Sequence, residues 1–168
     1  MSFKNRFGKN VNLIYFSWTG NTRRVFSKIR GELEARDFSV RLHEIKPKRN
    51  FPYIVWLLLS FIPGLKVKTN PVSITSDIII LGTPKWTLNC PPITYFIENS
   101  DLKGKRIFVV ITFGGFDEKR YAESLARKIK SKGAEIRSIL LIKRKKIEGG
   151  EYEKIVREWV DELINMIN

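Results

Sequence analysis

Five short strand-like runs, each followed by a segment of helical periodicity, constrain this chain more than any other feature. The runs span 11–16, 39–45, 77–82, 105–113 and 135–142, and the helical segments span 22–36, 53–62, 91–99, 117–132 and 151–167. Val11 to Phe16, Asp77 to Leu81 and Arg106 to Phe113 are almost continuous apolar stretches, as expected of strands covered on both faces. Val25, Phe26, Ile29 and Leu33 recur at helical spacing, as do Tyr121, Leu125 and Ile129. From Tyr152 to Ile167 a wide apolar stripe marks a last helix that belongs to the core. Such alternation predicts an α/β fold, a doubly wound five-stranded parallel sheet with helices on both faces. At 168 residues, 43% of them hydrophobic, the chain is sized for one domain spanning 1–168, with 51–76 as a variable element.

The richest chemistry lies where the first run meets the first helix. Ser17-Trp18-Thr19-Gly20-Asn21-Thr22 stands between a strand's carboxyl end and a helix's amino end. The first N–H groups of a helix have no internal acceptor, and the macrodipole adds partial positive charge there. Both favour a phosphate. Ser17, Thr19 and Thr22 supply hydroxyl donors, and Gly20 permits close backbone approach or a positive φ. An ordinary turn capped by Thr22 is the plainer alternative. The segment lacks the Gly-Lys-Ser/Thr ending of a Walker A loop and the three spaced glycines of a dinucleotide fingerprint. Hydroxyls without a lysine suit a phosphate monoester that stays bound.

The segment resembles the phosphate loop of flavodoxins, Thr/Ser-x-Thr-Gly-x-Thr, which holds flavin mononucleotide (FMN); all fixed positions match. That resemblance implies the strand order 2-1-3-4-5.

Two further loops fall on the same edge of such a sheet. Gly82-Thr83-Pro84-Lys85-Trp86-Thr87-Leu88-Asn89-Cys90 follows the third strand, and Pro91-Pro92 opens the next helix. Thr112-Phe113-Gly114-Gly115-Phe116 follows the fourth strand, with Asp117 placed to cap a helix. Ligands bind outside the carboxyl ends of the strands, near the switch in strand order. Loops 17–22, 82–90 and 112–117 therefore converge on one crevice. A planar aromatic ligand with a phosphate tail fits this division of chemistry. Its ring would stack on Trp86 or Phe116 and its polar edge would meet glycine N–H groups. The alternative for each aromatic is packing within its own loop. The arrangement resembles the flavodoxin superfamily, whose Gly-Thr/Ser-Pro and Thr-x-Gly-Gly loops flank the flavin.

No catalytic residue and no metal ligand set can be named. Cys90 is the only cysteine and reads as a small buried hydrophobe, with a redox thiol beside the flavin as the alternative. His43 is the only histidine, and no carboxylate cluster accompanies it. Scarce acid–base groups suit a cofactor that carries the chemistry itself.

Charge raises the question of partners. Lys and Arg total 31 against 17 Asp and Glu, a formal charge of +14, whereas most flavodoxins are acidic. Net charge informs association rather than fold. It favours the anionic, fully reduced form of a bound flavin, within the reach that screening allows. Phe51 to Leu65 bears on the same question. Tyr53 to Leu59 is apolar all round, too short for the ~20 residues a bilayer span takes. Lys46, Lys48 and Arg49 precede it, and Lys66 and Lys68 follow. Three readings follow: an interfacial anchor on an anionic membrane through 46–68, a contact in a homo-oligomer, or a helix lodged in the core under the 63–76 loop. Nucleic acid is the weaker candidate, resting on Lys143-Arg144-Lys145-Lys146 alone, which also reads as a solvated loop.

Met1 to Asn10 is polar and basic and shows no secretory signal, so the expected location is cytoplasmic, with peripheral membrane association under the anchor reading. The expected function is an FMN-binding electron-transfer protein or a small flavin oxidoreductase, exchanging electrons with a redox partner protein or a quinone. The membrane reading resembles quinone-linked flavodoxin-like enzymes, including menaquinone-dependent protoporphyrinogen oxidase. A flavin-free module using the same crevice for another phosphate ligand, or for protein interaction, is the alternative.

Overall fold

The computed structural model describes residues 9–168. The amino-terminal stretch read above as carrying no secretory signal lies, through residue 8, outside the described residues. The strands are β1 (Asn10–Tyr15), β2 (Ser39–Glu44), β3 (Ile78–Lys85), β4 (Arg106–Phe113) and β5 (Glu135–Lys143). They form one sheet in the order 2-1-3-4-5, all neighbours parallel. The helices are α1 (Asn21–Glu34), α2 (Tyr53–Leu59), α3 (Pro91–Asn99), α4 (Glu118–Ser131), α5 (Arg144–Glu148) and α6 (Tyr152–Ile167).

The two-residue period of each strand sorts its side chains between two cores. Val11, Leu13 and Tyr15 join Ile78, Ile80, Phe108 and Val110 beneath α1 and α6. Ile14, Phe16, Ile79, Leu81, Val109 and Ile111 face α3 and α4. Each fully buried Leu, Ile or Phe contributes about 1.5–3 kcal/mol relative to an exposed one. β1 and β3 are central, which explains why both read as unbroken apolar runs. β2 and β5 are the edges and show alternating burial.

Two departures from the sequence reading bear on the crevice. β3 runs three residues further than expected, so Gly82, Thr83, Pro84 and Lys85 are strand rather than loop, paired with Val110, Ile111, Thr112 and Phe113. Pro84 is tolerated there because β1 pairing stops at Tyr15 opposite Gly82. Beyond Gly82 no residue of β1 pairs with β3, so the missing N–H breaks no pair of that ladder. The basic run 143–146 is not a solvated loop: Arg144 opens α5, whose Ile147 is buried in the core.

Gly82 also fixes how α1 sits. A Cβ at that position would stand 2.2 Å from Cε2 of Phe26. Only glycine lets the α1 ring press onto β3 here.

Candidate functional site

The turn 17–22 is built as its residues require. Gly20 is the N-cap of α1, at φ +90, a conformation costly for any residue with a Cβ. Ser17 is buried, and its Oγ accepts the Arg23 N–H at 3.3 Å. Among the described residues, the backbone N–H groups of Thr19, Gly20, Asn21 and Thr22 donate to no protein acceptor. Four successive unused donors at a helix start are an arrangement suited to receive an anion.

The turn opens onto a cleft of about 310 Å³ at the carboxyl edge of the sheet. Thr19 and Asn21 form one wall. Pro84 and Lys85 at the end of β3, with Trp86 beyond it, form the second, and Thr112 and Phe113 at the end of β4, with Gly114 and Gly115 beyond it, form the third. The three segments thus converge as the strand order requires. Two lining residues escaped the sequence reading, Tyr53 of α2 and Arg144 of α5. Arg144 sits at the carboxyl end of β5, and that topological position was the signal that could have found it. Its guanidinium passes 3.2 Å from where a Gly114 Cβ would stand, so Gly114 makes room for a cation at the rim.

Electrostatics favour an anion. Lys85 and Arg144 line the cleft, and no carboxylate does. Arg23, in the first turn of α1, is committed elsewhere. Its side chain binds Glu44 at 2.5 Å, and that hydrogen bond, followed by the charge of Glu44, raises the guanidinium above its usual range. Tyr15 lies beside this pair, and its phenol is raised first by burial and then by the Glu44 charge.

Trp86 does two things at once. It lines the cleft, and it packs against Phe16 at 5.5 Å, nearly perpendicular, and against Trp56 at 5.8 Å. Trp56 in turn meets Trp18 at 6.3 Å and Phe51 at 5.2 Å. An aromatic cluster therefore braces the wall from behind.

Several expected site residues are placed outside the cleft lining. The Thr22 hydroxyl is buried and bonded to Thr112 Oγ1 at 2.8 Å, which ties α1 to β4 rather than facing a ligand. Thr83 is buried within the strand, where its hydroxyl bonds that of Tyr121 at 3.1 Å. Trp18 is half-buried against Trp56 and leaves the lining to Thr19 and Asn21. Phe116 is 85% exposed and neither lines the cleft nor packs beneath its turn. Asp117 stands at the N-cap of α4, but its side chain makes no cap bond because its backbone is left-handed there (φ 65).

Cys90 is buried, and desolvation pushes its thiol up to about 12. It packs in the core on the α3 and α4 side and is not part of the cleft lining, a placement that fits the small-hydrophobe reading. His43 is held below its ordinary pKa, first by burial and then by Arg41. Among the described residues no group of three or more His, Cys, Asp or Glu is placed to hold a metal.

The comparisons with known proteins agree with this architecture. No family model matches the sequence. An uncharacterized protein of Archaeoglobus fulgidus is 41% identical over 153 residues, covering 89% of this chain and 98% of that one. A candidate flavoprotein from Bacteroides eggerthii superposes with a TM-score of 0.72 at 22% identity, over 92% of this chain and 97% of that one. A Lactobacillus acidophilus flavoprotein in complex with FMN gives 0.66 at 16% identity, over 84% and 98%. Oxidised flavodoxin 2 from Bacillus cereus gives 0.58 at 21% identity, over 91% and 99%. The chain belongs to the family of the Archaeoglobus protein, and its fold is flavodoxin-like. In this flavodoxin-like chain the cleft therefore occupies the carboxyl edge of the sheet, at the switch between β1 and β3.

Proposed function

We propose that the cleft binds FMN, with the phosphate at the 17–22 turn and the flavin ring between the β3 and β4 segments, and that the protein transfers electrons. The observation that carries this is the row of unused N–H donors from Thr19 to Thr22, opening on a cleft lined by cations and no carboxylate. The residues present fit the group. Thr19, Asn21 and the backbone would hold the phosphate. Trp86 and Phe113 offer aromatic faces to the ring, and the Gly114-Gly115 backbone admits its polar edge. When bound, FMN supplies both one- and two-electron chemistry. The chain's own part is to orient the ring, to exclude water with Trp86 and to hold positive charge nearby through Lys85 and Arg144. The acceptor under this reading is a redox partner protein or a quinone.

Fluorescence titration of the purified protein with FMN and with riboflavin, which lacks the phosphate, tests the assignment. Hydrogen bonds to a charged group are worth about 1.5–3 kcal/mol each, so FMN should bind more tightly by roughly tenfold or more. Gly20→Val, forced out of its left-handed conformation, should weaken FMN and leave riboflavin unchanged. Equal affinity for the two flavins would sink the phosphate site, and a protein that ignores both would favour the flavin-free module. Stopped-flow reduction with NADH and NADPH then separates a reductase from a carrier.

A further inference from the structure

The segment between β2 and β3 leaves an apolar surface that the fold itself does not cover. Of α2, only Trp56 is buried, together with Ser60 just after it. The reading of this helix as lodged in the core under the 63–76 loop is therefore corrected: Trp56 alone among its side chains is fully buried, and its outer face is left open. Ile54, Leu58, Phe61 and Ile62 are 59, 62, 56 and 50% exposed. They recur at i, i+4, i+7 and i+8, one stripe along α2 and the turn that extends it. Leu88, also exposed, lies in the loop whose backbone N–H bonds Ser60 O at 3.2 Å. A contiguous apolar patch on the outside of a protein marks an interaction surface.

The flanks of this excursion identify its partner. A bridge between Pro47 and Thr69 pins the two ends together, with the Lys48 N–H donating to Lys68 O at 2.8 Å and the Asn70 N–H donating to Lys46 O at 2.9 Å. Lys46, Lys48, Arg49, Lys66 and Lys68 are thereby gathered at its base, all exposed. No carboxylate occurs between Glu44 and Asp77. None of the five cations is ion-paired among the described residues. An isologous contact with a second copy would set these like charges against each other. An anionic lipid surface complements both the charge and the apolar stripe.

We propose that Tyr53 to Leu65 docks in the headgroup region of an anionic membrane, with Ile54, Leu58, Phe61 and Ile62 inserted and the five flanking cations on lipid phosphates. Tyr53 lines the cleft from the same helix, so docking would set the mouth of the cleft at the bilayer surface. This inference stands on the outer surface alone and holds whatever the cleft binds.

Vesicle co-sedimentation of the full chain is the test, with phosphatidylcholine alone and with an equimolar phosphatidylglycerol mixture, at low salt and at about 0.5 M salt. The expected result is binding to the anionic vesicles only, weakened by salt. Leu58→Ser with Phe61→Ser should weaken it by roughly tenfold or more, because each exposed apolar side chain loses its insertion. Both positions are exposed, so folding should survive, and a thermal melt checks that. Lys48→Glu with Lys68→Glu should abolish binding at low salt. Absence of wild-type binding at low salt overturns the proposal. Binding that the apolar double variant leaves unchanged overturns insertion. A wild-type dimer in sedimentation that the same variant converts to monomer assigns the patch to a second copy and equally overturns it.

Discussion

Replacing Gly82 by alanine would test how the 17–22 turn is held. The new Cβ would stand 2.2 and 2.4 Å from Cε2 and Cζ of Phe26 and 2.9 Å from Cβ of Tyr15. Nonbonded carbons rest at about 3.5–4.0 Å, so the Phe26 ring would have to withdraw by more than an ångström. It has nowhere to go, since Phe26 is fully buried among the α1 and α6 contacts. Relief must come from lifting α1 off the sheet, and α1 carries the 17–22 turn at its amino end. Overpacking of this kind costs about 1–3 kcal/mol, and two contacts this short against a fully buried ring place this case near 3 kcal/mol. Urea unfolding followed by tryptophan fluorescence measures that loss, and FMN affinity should fall with it. Phe26→Leu in the same chain removes the clashing ring edge. The double variant should then be more stable than the sum of the singles by about 1–2 kcal/mol. A Gly82→Ala protein within about 0.5 kcal/mol of wild type, or strictly additive singles, would refute the close-approach argument.

Two further predictions concern titrating groups. Glu32 of α1 meets Arg36 at 2.6 Å, Lys28 at 2.9 Å and Arg157 of α6 at 3.5 Å. The hydrogen bond from Arg36, and then that from Lys28, lower its carboxyl to about 2. A lowered folded pKa gives stability that is full above the usual value of 4.5 and is lost as pH falls towards 2. Glu32→Gln should therefore cost about 2 kcal/mol near pH 6 and progressively less towards pH 3, read from urea unfolding at each pH; a cost independent of pH would count against it. Cys90 should resist iodoacetamide in the native state and react only as the chain unfolds. Its raised thiol pKa adds stability that is complete below about 9 and lost as pH rises towards 12. Stoichiometric labelling of the folded protein near pH 8 would show the thiol to be accessible.

Much of this architecture was legible because parallel strands covered on both faces leave a strong apolar signature, and β1, β3 and β4 show it. The 17–22 turn was legible as a turn because its one glycine falls between an apolar run and a helical pattern, and Gly20 takes positive φ there. Other features were not. Pro84 reads as a strand breaker, and only the early end of β1 pairing makes it acceptable in β3. Arg144 lay hidden in a basic run, since five residues are too few to show helical periodicity. Along Tyr53–Leu59 every side chain is apolar, so no pattern could show that Trp56 alone turns inward. Thr22 and Thr83 carry hydroxyls that suit a ligand as well as a neighbour, and the fold gives both to neighbours.

Trp56 ties two jobs to one indole. It is the one side chain of α2 sunk fully into the molecule, and it is the backing against which Trp86 rests at the cleft. Whatever tugs on the excursion from outside is felt at the cleft wall through this indole and through Tyr53 beside it. Exchanging the excursion for a shorter link, as an evolving lineage could otherwise do freely, would require a new prop for Trp86 in the same step.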